Sequence, residues 1–203
     1  MKIAILGATG QVGSILLNEA LSRGHTVTGI ARNPDSMQKH AALRPIKADI
    51  TNYAQLPTIL SAQDAVLSAV PFRSFNSASL INAVKAAGVP RLLVVGGAGS
   101  LEIAPGKALV DTSDFPAEYK TEALAGRDFL NLLRNESALD WTFLSPSAFL
   151  HAGPRTAKFR LGKDSLLTDT DGQSHISLAD YAIAFIDELE KPHHSRQRFT
   201  VGY

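Results

Sequence analysis

Apolar positions along this chain fall into two alternating patterns. Short aliphatic runs recur at residues 2–6, 26–30, 64–70, 91–95, 139–144 and 198–201. The run at 91–95 is almost wholly aliphatic, as expected of a strand buried on both faces of a parallel sheet. Between these runs, apolar residues return at helical spacing. Val12, Ile15, Leu16, Leu17, Ala20 and Leu21 form one stripe, and Leu124, Phe129, Leu130, Leu132 and Leu133 form another. The pattern predicts helices after Gly10, over 35–42, from Thr51 or Asn52 to Leu60, and over 74–87, 115–135 and 178–190. A brief further strand is expected at 45–48.

Turn chemistry agrees with these boundaries. Arg23-Gly24 and Gly88-Val89-Pro90 end helices, and Pro192 stops the last one. Ser177 and Asp180 stand at capping-box spacing where that helix begins. Strands alternating with helices predict an α/β fold, a doubly wound parallel sheet forming a single domain over residues 1–203. Segment 101–114 lacks a period and is expected to loop over the site. Segment 149–176 is expected to form a small C-terminal cover on the substrate side, irregular to 165 and then extended or a short hairpin.

Composition narrows the function. The chain has 203 residues, 45% of them hydrophobic, enough for one substantial core. Its formal net charge of +1 argues against nucleic acid or an anionic membrane as partner. The absence of cysteine removes disulfides, thiolate metal sites and a cysteine nucleophile. No run reaches the ~18 apolar residues of a membrane span. The N-terminal run is broken by Gly7, so no signal peptide is expected and a cytoplasmic location is the default.

The first thirteen residues, MKIAILGATGQVG, carry the strongest chemical signal. Gly7, Gly10 and Gly13 follow a strand and precede a helix. A nucleotide pyrophosphate binds where the first N–H groups of a helix point outward, and side chains there would block it. The motif assigns Gly7, Thr9, Gly10, Gln11, Val12 and Gly13 to a dinucleotide, against the plainer reading of a tight turn. The second strand ends in Arg32, where many NAD-binding units place an acid. A guanidinium there suits a 2′-phosphate, favouring NADP with NAD still open; the alternative is an exposed arginine. Asp49 and Ile50 end the third strand on the cofactor side, where Asp49 accepts from an adenine amino group or caps its own turn. Ser68, Ala69 and Val70 leave the fourth strand and give the nicotinamide ribose room.

Other candidates are weaker. Ser100 follows Gly96-Gly97-Ala98-Gly99 after the fifth strand and reads as a substrate or nicotinamide contact, or as a turn cap. Tyr119 reads as a pocket wall or proton donor, or as a half-exposed tyrosine at a helix start. His151 reads as a proton donor near neutral pH or as a loop histidine. Arg155, Lys158 and Arg160 read as a solvated loop or as a greeting for an anionic substrate. His193-His194 reads as a surface turn, with no metal site expected.

Taken together, GATGQVG, Ala31-Arg32-Asn33, Ala48-Asp49-Ile50, Gly96-Gly97-Ala98-Gly99-Ser100, Trp141-Thr142-Phe143 with Ser145-Pro146, and Ile176-Ser177 with Asp180-Tyr181-Ala182 resemble the atypical short-chain dehydrogenase/reductases. The resemblance is nearest to the bacterial group named for NADH-flavin reductases, related to biliverdin reductase B/flavin reductase and to NmrA-like proteins. It implies an NAD(P)-binding Rossmann fold and a small-molecule substrate that is a flavin or another flat conjugated molecule; a quinone is the other acceptor expected, and the chain is expected to be a monomer or homodimer. One departure matters. The superfamily's Tyr-x-x-x-Lys is absent, because Tyr119 is followed by Glu122 and Ala123. Two functions lead: an NADPH-dependent reductase of a flat conjugated acceptor walled by Phe72, Phe75 or Phe149, and a non-catalytic NADP(H) sensor; a third, a sugar-nucleotide epimerase or dehydratase, is disfavoured by the missing Tyr–Lys pair.

Overall fold

The computed structural model describes all of residues 1–203. Seven parallel strands form the body of one sheet. In chain order they are β1 (Lys2–Leu6), β2 (Thr26–Ala31), β3 (Leu43–Lys47), β4 (Ala65–Ser68), β5 (Arg91–Val95), β8 (Asp140–Pro146) and β12 (Gln197–Gly202). An eighth strand, β10 (Arg160–Gly162), adds antiparallel to β12 at one edge, and the sheet runs β10-β12-β8-β5-β4-β1-β2-β3. The order reverses between β1 and β4, the switch point where ligands bind in open α/β sheets.

Helices cover both faces. Helices α1 (Gln11–Ser22) and α5 (Leu178–Glu190) lie on one, and α2 (Leu56–Leu60), α3 (Ser77–Ala86) and α4 (Ala117–Arg134) lie on the other. Strand pleating sorts the core. Ile3 and Ile5 pack with Leu16, Leu17, Tyr181 and Phe185, while Ala4 and Leu6 pack with Leu80, Val84, Phe129 and Leu130. Because both faces are covered at the centre of the sheet, β5 reads as an almost unbroken aliphatic run.

Several expected elements differ. Residues 35–42 form turns, not a helix. Asp35 and Ser36 favour turns, and only Met37, with its sulfur beside Gly29, and Ala42 pack inward. Helix α2 starts at Leu56 rather than near Thr51, because Pro57 is tolerated only in a first helical turn. Helix α3 starts at Ser77 rather than Ser74. Residues Phe72–Ser74 form a 3₁₀ turn, and the Asn76 side chain accepts the Ser79 N–H at 2.9 Å to cap the helix. Segment 101–114 holds a small hairpin of β6 (Glu102–Ala104) and β7 (Lys107–Ala108).

Segment 149–176, expected as a substrate-side cover, is more ordered than its composition suggests and lines neither of the two cavities described below. Strands β9 (Phe149–His151) and β11 (His175–Ser177) pair in parallel above the sheet. The strap between β9 and β10 is tied down twice. Thr156 and Ala157 donate their backbone N–H groups to buried Asp180 at 2.8 and 2.9 Å, and Arg155 pairs with Glu19 of α1 at 2.9 Å. Ser177 caps α5 by accepting the Asp180 N–H at 3.0 Å. The Asp180 carboxylate does not reach back to close the capping box; it holds the strap instead.

Candidate functional site

A cleft of about 350 Å³ opens where β1, β2 and β4 end. Gly7, Thr9 and Gly10 line it after β1, and Arg32 after β2. Asp49 and Ile50 line it after β3, and Ala69 and Val70 after β4. Gly7 has φ +79°, and a Cβ there would stand 2.8 Å from the Ala69 carbonyl oxygen. Glycine is therefore required for the chain to turn beneath the cleft. Gly10 is the N-cap of α1, with no side-chain cap and no acid in the first turn. The first N–H groups of α1 thus lack an internal partner, as an anion-binding helix end requires.

Four expected cofactor residues do not line this cleft: Gln11, Val12, Gly13 and Ser68. Gly13 is a packing residue, since a Cβ there would lie 2.1 Å from the Gly7 carbonyl oxygen. Ser68 is buried within β4, between Leu6 of β1 and Val94 of β5. Spacing along the chain marks the motif, but only some of its members face outward.

Arg32 is exposed and makes no ion pair within 4 Å, so its guanidinium is available to a ligand. Asp49 is partly committed. One carboxylate oxygen accepts the Thr51 N–H at 2.9 Å and the Thr51 hydroxyl at 2.7 Å. These bonds, with the charge of Arg32 adding, hold its carboxyl below the usual carboxylate range. The second oxygen accepts no hydrogen bond within the protein.

A second cavity of about 590 Å³ adjoins the first. Its walls come from Phe72, the Gly97–Gly99 turn, the 109–116 loop, Tyr119 and Glu122 on α4, and Ala148. The 71–74 turn divides the two spaces: Pro71 and Ser74 face the first, and Phe72 faces the second. Small residues bring these parts together. A Cβ on Gly99 would lie 2.7 Å from Ala123 Cβ, and one on Gly126 would lie 2.7 Å from the Phe72 ring. The Phe72 ring stacks on Phe143 with centroids 6.0 Å apart. Phe75 lies outside the wall, against Phe129 at 5.6 Å, and Phe149 is outside it and 65% exposed.

Glu122 was not marked as a site residue by the sequence. Its carboxylate accepts the Phe72 N–H at 2.5 Å, the Arg73 N–H at 3.2 Å and the Arg73 Nε–H at 3.2 Å. The only sequence signal was its place one helical turn after Tyr119. Asp114 was likewise unmarked, being one residue in an aperiodic loop.

The three catalytic candidates do not converge. Tyr119 lines the second cavity and is 63% exposed, with no lysine one turn along. Ser100 lines neither cavity. Its Oγ accepts from Arg198 Nη1 at 3.4 Å, and Arg198 is in turn held by Asp164 at 2.6 Å. His151 also lines neither. Its ring stacks on Phe149 at 5.2 Å and on His175 at 5.5 Å, and its Nε2 lies 3.3 Å from His175 Nδ1. The basic residues of the cover are committed too: Arg155 to Glu19, and Arg160 to the carbonyls of Thr168 and Tyr203.

Comparison with known proteins agrees with this geometry. Residues 7–191 match the family described as NAD(P)H-binding. The chain is 41% identical to the uncharacterized Bacillus subtilis protein YwnB, over 99% of this chain and 98% of that one. The structure of a "putative epimerase" from Bacteroides thetaiotaomicron superposes with a TM-score of 0.95 at 44% identity, covering 100% of this chain and 96% of that chain. That of a "putative NADH-flavin reductase" from Streptococcus pneumoniae gives 0.87 at 39% identity, covering 100% and 99%. No helix is long and apolar enough to cross a membrane. The sheet order, the glycine cradle at the switch point and the match along nearly the whole chain lead to one conclusion: this chain belongs to the NAD(P)H-binding family, with a Rossmann-like fold.

Proposed function

We propose that this protein is an NADPH-dependent reductase of a flat conjugated acceptor, such as a flavin or quinone. The observation that carries this reading is the adjacency of two unlike cavities across the 71–74 turn. One is lined by the glycine cradle and Arg32, the other largely by apolar side chains. The cradle fits a dinucleotide: Gly7 and Gly10 leave the backbone bare, and the uncapped start of α1 suits a pyrophosphate. Arg32 suits a 2′-phosphate.

A bound NADPH supplies a hydride, and solvent supplies the proton that completes reduction. The protein's part is placement. The Glu122 clamp on Phe72 and Arg73 fixes the turn between the cavities, and Phe72 offers an aromatic wall for a planar ring. No lysine stands one helical turn after Tyr119, where the superfamily's Tyr-x-x-x-Lys would place it, so the chemistry favoured is one that does not need a strong protein acid. The same lack of a Tyr–Lys pair favours the competing reading, a sensor that binds NADP(H) without turnover.

The test is NADPH oxidation with riboflavin, FMN and a quinone, beside fluorescence titration of NADPH and NADH binding to wild type and Arg32→Ala. Saturable turnover is expected. The variant is expected to weaken NADPH about 10- to 100-fold, the worth of a lost charge-assisted bond, and NADH by less than about twofold. Tight NADPH binding without turnover on any acceptor would favour the sensor. Equal loss for both nucleotides would overturn the NADP assignment.

A further inference from the structure

The second cavity has an electrostatic character of its own. Two carboxylates line it, Asp114 and Glu122, and no lysine, arginine or histidine does. Two arginines on the elements that form it, neither of them in the lining, are already paired. Arg73 Nε lies 3.2 Å from Glu122, and Arg127 lies 2.9 Å from Asp111. Lys107 and Lys120 are exposed and outside the lining. The positive end of α4 points toward Pro116 and Tyr119, where an anion would ordinarily be welcome. That end is already answered by Glu118 in the first turn and by Asp114 just before it. Asp114 itself accepts only the Ser113 hydroxyl, at 3.1 Å, so no cation balances it.

The basic cluster that the sequence offered for a phosphate is absent from this cavity. Arg155 is held by Glu19, Arg160 by two backbone carbonyls, and Lys158 does not line the space. A phosphate or carboxylate entering here loses water and gains no counter-charge. A neutral ring system loses nothing of the kind and gains contact with Phe72, Phe115, Ile103 and Leu109.

We propose that this cavity selects planar acceptors without an anionic group, so that riboflavin and uncharged quinones are taken and their phosphorylated or sulfonated counterparts are rejected. The proposal rests on the reductase reading and names the substrate class of the same site. Asp114 is the specificity-determining residue, because it is the lining carboxylate that nothing neutralises. It is also solvent-exposed, so screening keeps the discrimination to about tenfold.

Two matched pairs test this, each differing by one anionic group: riboflavin against FMN, and 1,4-naphthoquinone against its 2-sulfonate. The primary readout is the dissociation constant with the NADP-saturated protein, from quenching of flavin fluorescence and from calorimetry for the quinones. Relative kcat/KM with NADPH is the second. The neutral member is expected to bind about tenfold more tightly in each pair. Asp114→Asn is expected to shrink the gap, and Asp114→Lys to close or reverse it, with melting curves verifying the fold. Equal or tighter binding of FMN or the sulfonate to wild type would overturn the proposal while leaving the reductase reading intact. A gap unchanged by Asp114→Lys would remove Asp114 from the explanation. Tight NADPH binding with none of the four compounds bound or reduced would overturn this proposal and the reductase reading together.

Discussion

The carboxylate of Glu122 on α4 accepts the backbone N–H of Phe72 at 2.5 Å, across 50 residues of sequence. That bond fixes the turn which is wall to both cavities at once. Glu122 thereby helps to set the position of the second cavity relative to the first.

Loss of this clamp is expected to free the turn. Glu122→Ala is predicted to lower unfolding free energy by about 1–2 kcal/mol, the range for charge-assisted bonds at a partly exposed site. Hydrogen exchange at the Phe72 and Arg73 amides is predicted to accelerate selectively. Unchanged protection at those amides would mean that the turn holds without Glu122.

Two glycines of one motif are expected to behave differently. A Cβ on Gly13 would meet the Gly7 carbonyl oxygen at 2.1 Å, whereas one on Gly10 would meet it at 3.2 Å and otherwise face the cleft. Gly13→Ala is predicted to destabilise the protein by about 2–3 kcal/mol through overpacking. Gly10→Ala is predicted to keep most of the stability and lose nucleotide affinity. Urea unfolding and an NADPH titration on the two variants separate the roles.

Ser100 turns toward Arg198, not into a cavity, through contacts of 3.4 and 3.5 Å. Ser100→Ala is therefore predicted to leave acceptor turnover within about twofold and to cost less than about 1 kcal/mol of stability. A drop of a hundredfold in kcat would place Ser100 against the substrate after all.

Acid is expected to release the strap. Burial alone would raise the Asp180 carboxyl, but donors from Thr156, Tyr203 and Ala157 outweigh it and hold the group below its ordinary 3.8. The unfolded chain then takes up the proton first as pH falls. The stabilisation is present above about pH 5 and is lost as pH drops through 3.8 toward the folded value. Asp180→Asn is predicted to be less stable at neutral pH and to show a flatter stability profile below pH 5. Parallel acid profiles in the two proteins would show that another carboxylate governs the loss.

The sequence alone carried the fold class, most strand positions and the glycine cradle, because each is a local property. Burial on both faces leaves an aliphatic run, as at Arg91–Val95, and a pyrophosphate turn needs bare backbone at Gly7. Ser177 announced the start of α5 in the same way, through a bond to an amide three residues on. Tertiary structure decided everything that depends on where a side chain points. Ser100 stands after β5 as its motif suggests, yet Arg198, 98 residues later, draws it away from the cavities. Gly13 belongs to the motif but packs against Gly7 and leaves the cleft to Gly10. The second cavity is assembled from Phe72, the 97–99 turn, the 109–116 loop, α4 and Ala148, which only the packing of α4 beside β5 and β8 brings together. Its two carboxylates sit among unrelated residues in the chain, and no spacing rule joins them. A charge pattern across distant segments is a product of folding, so the ligand preference it implies was not legible until the chain had folded.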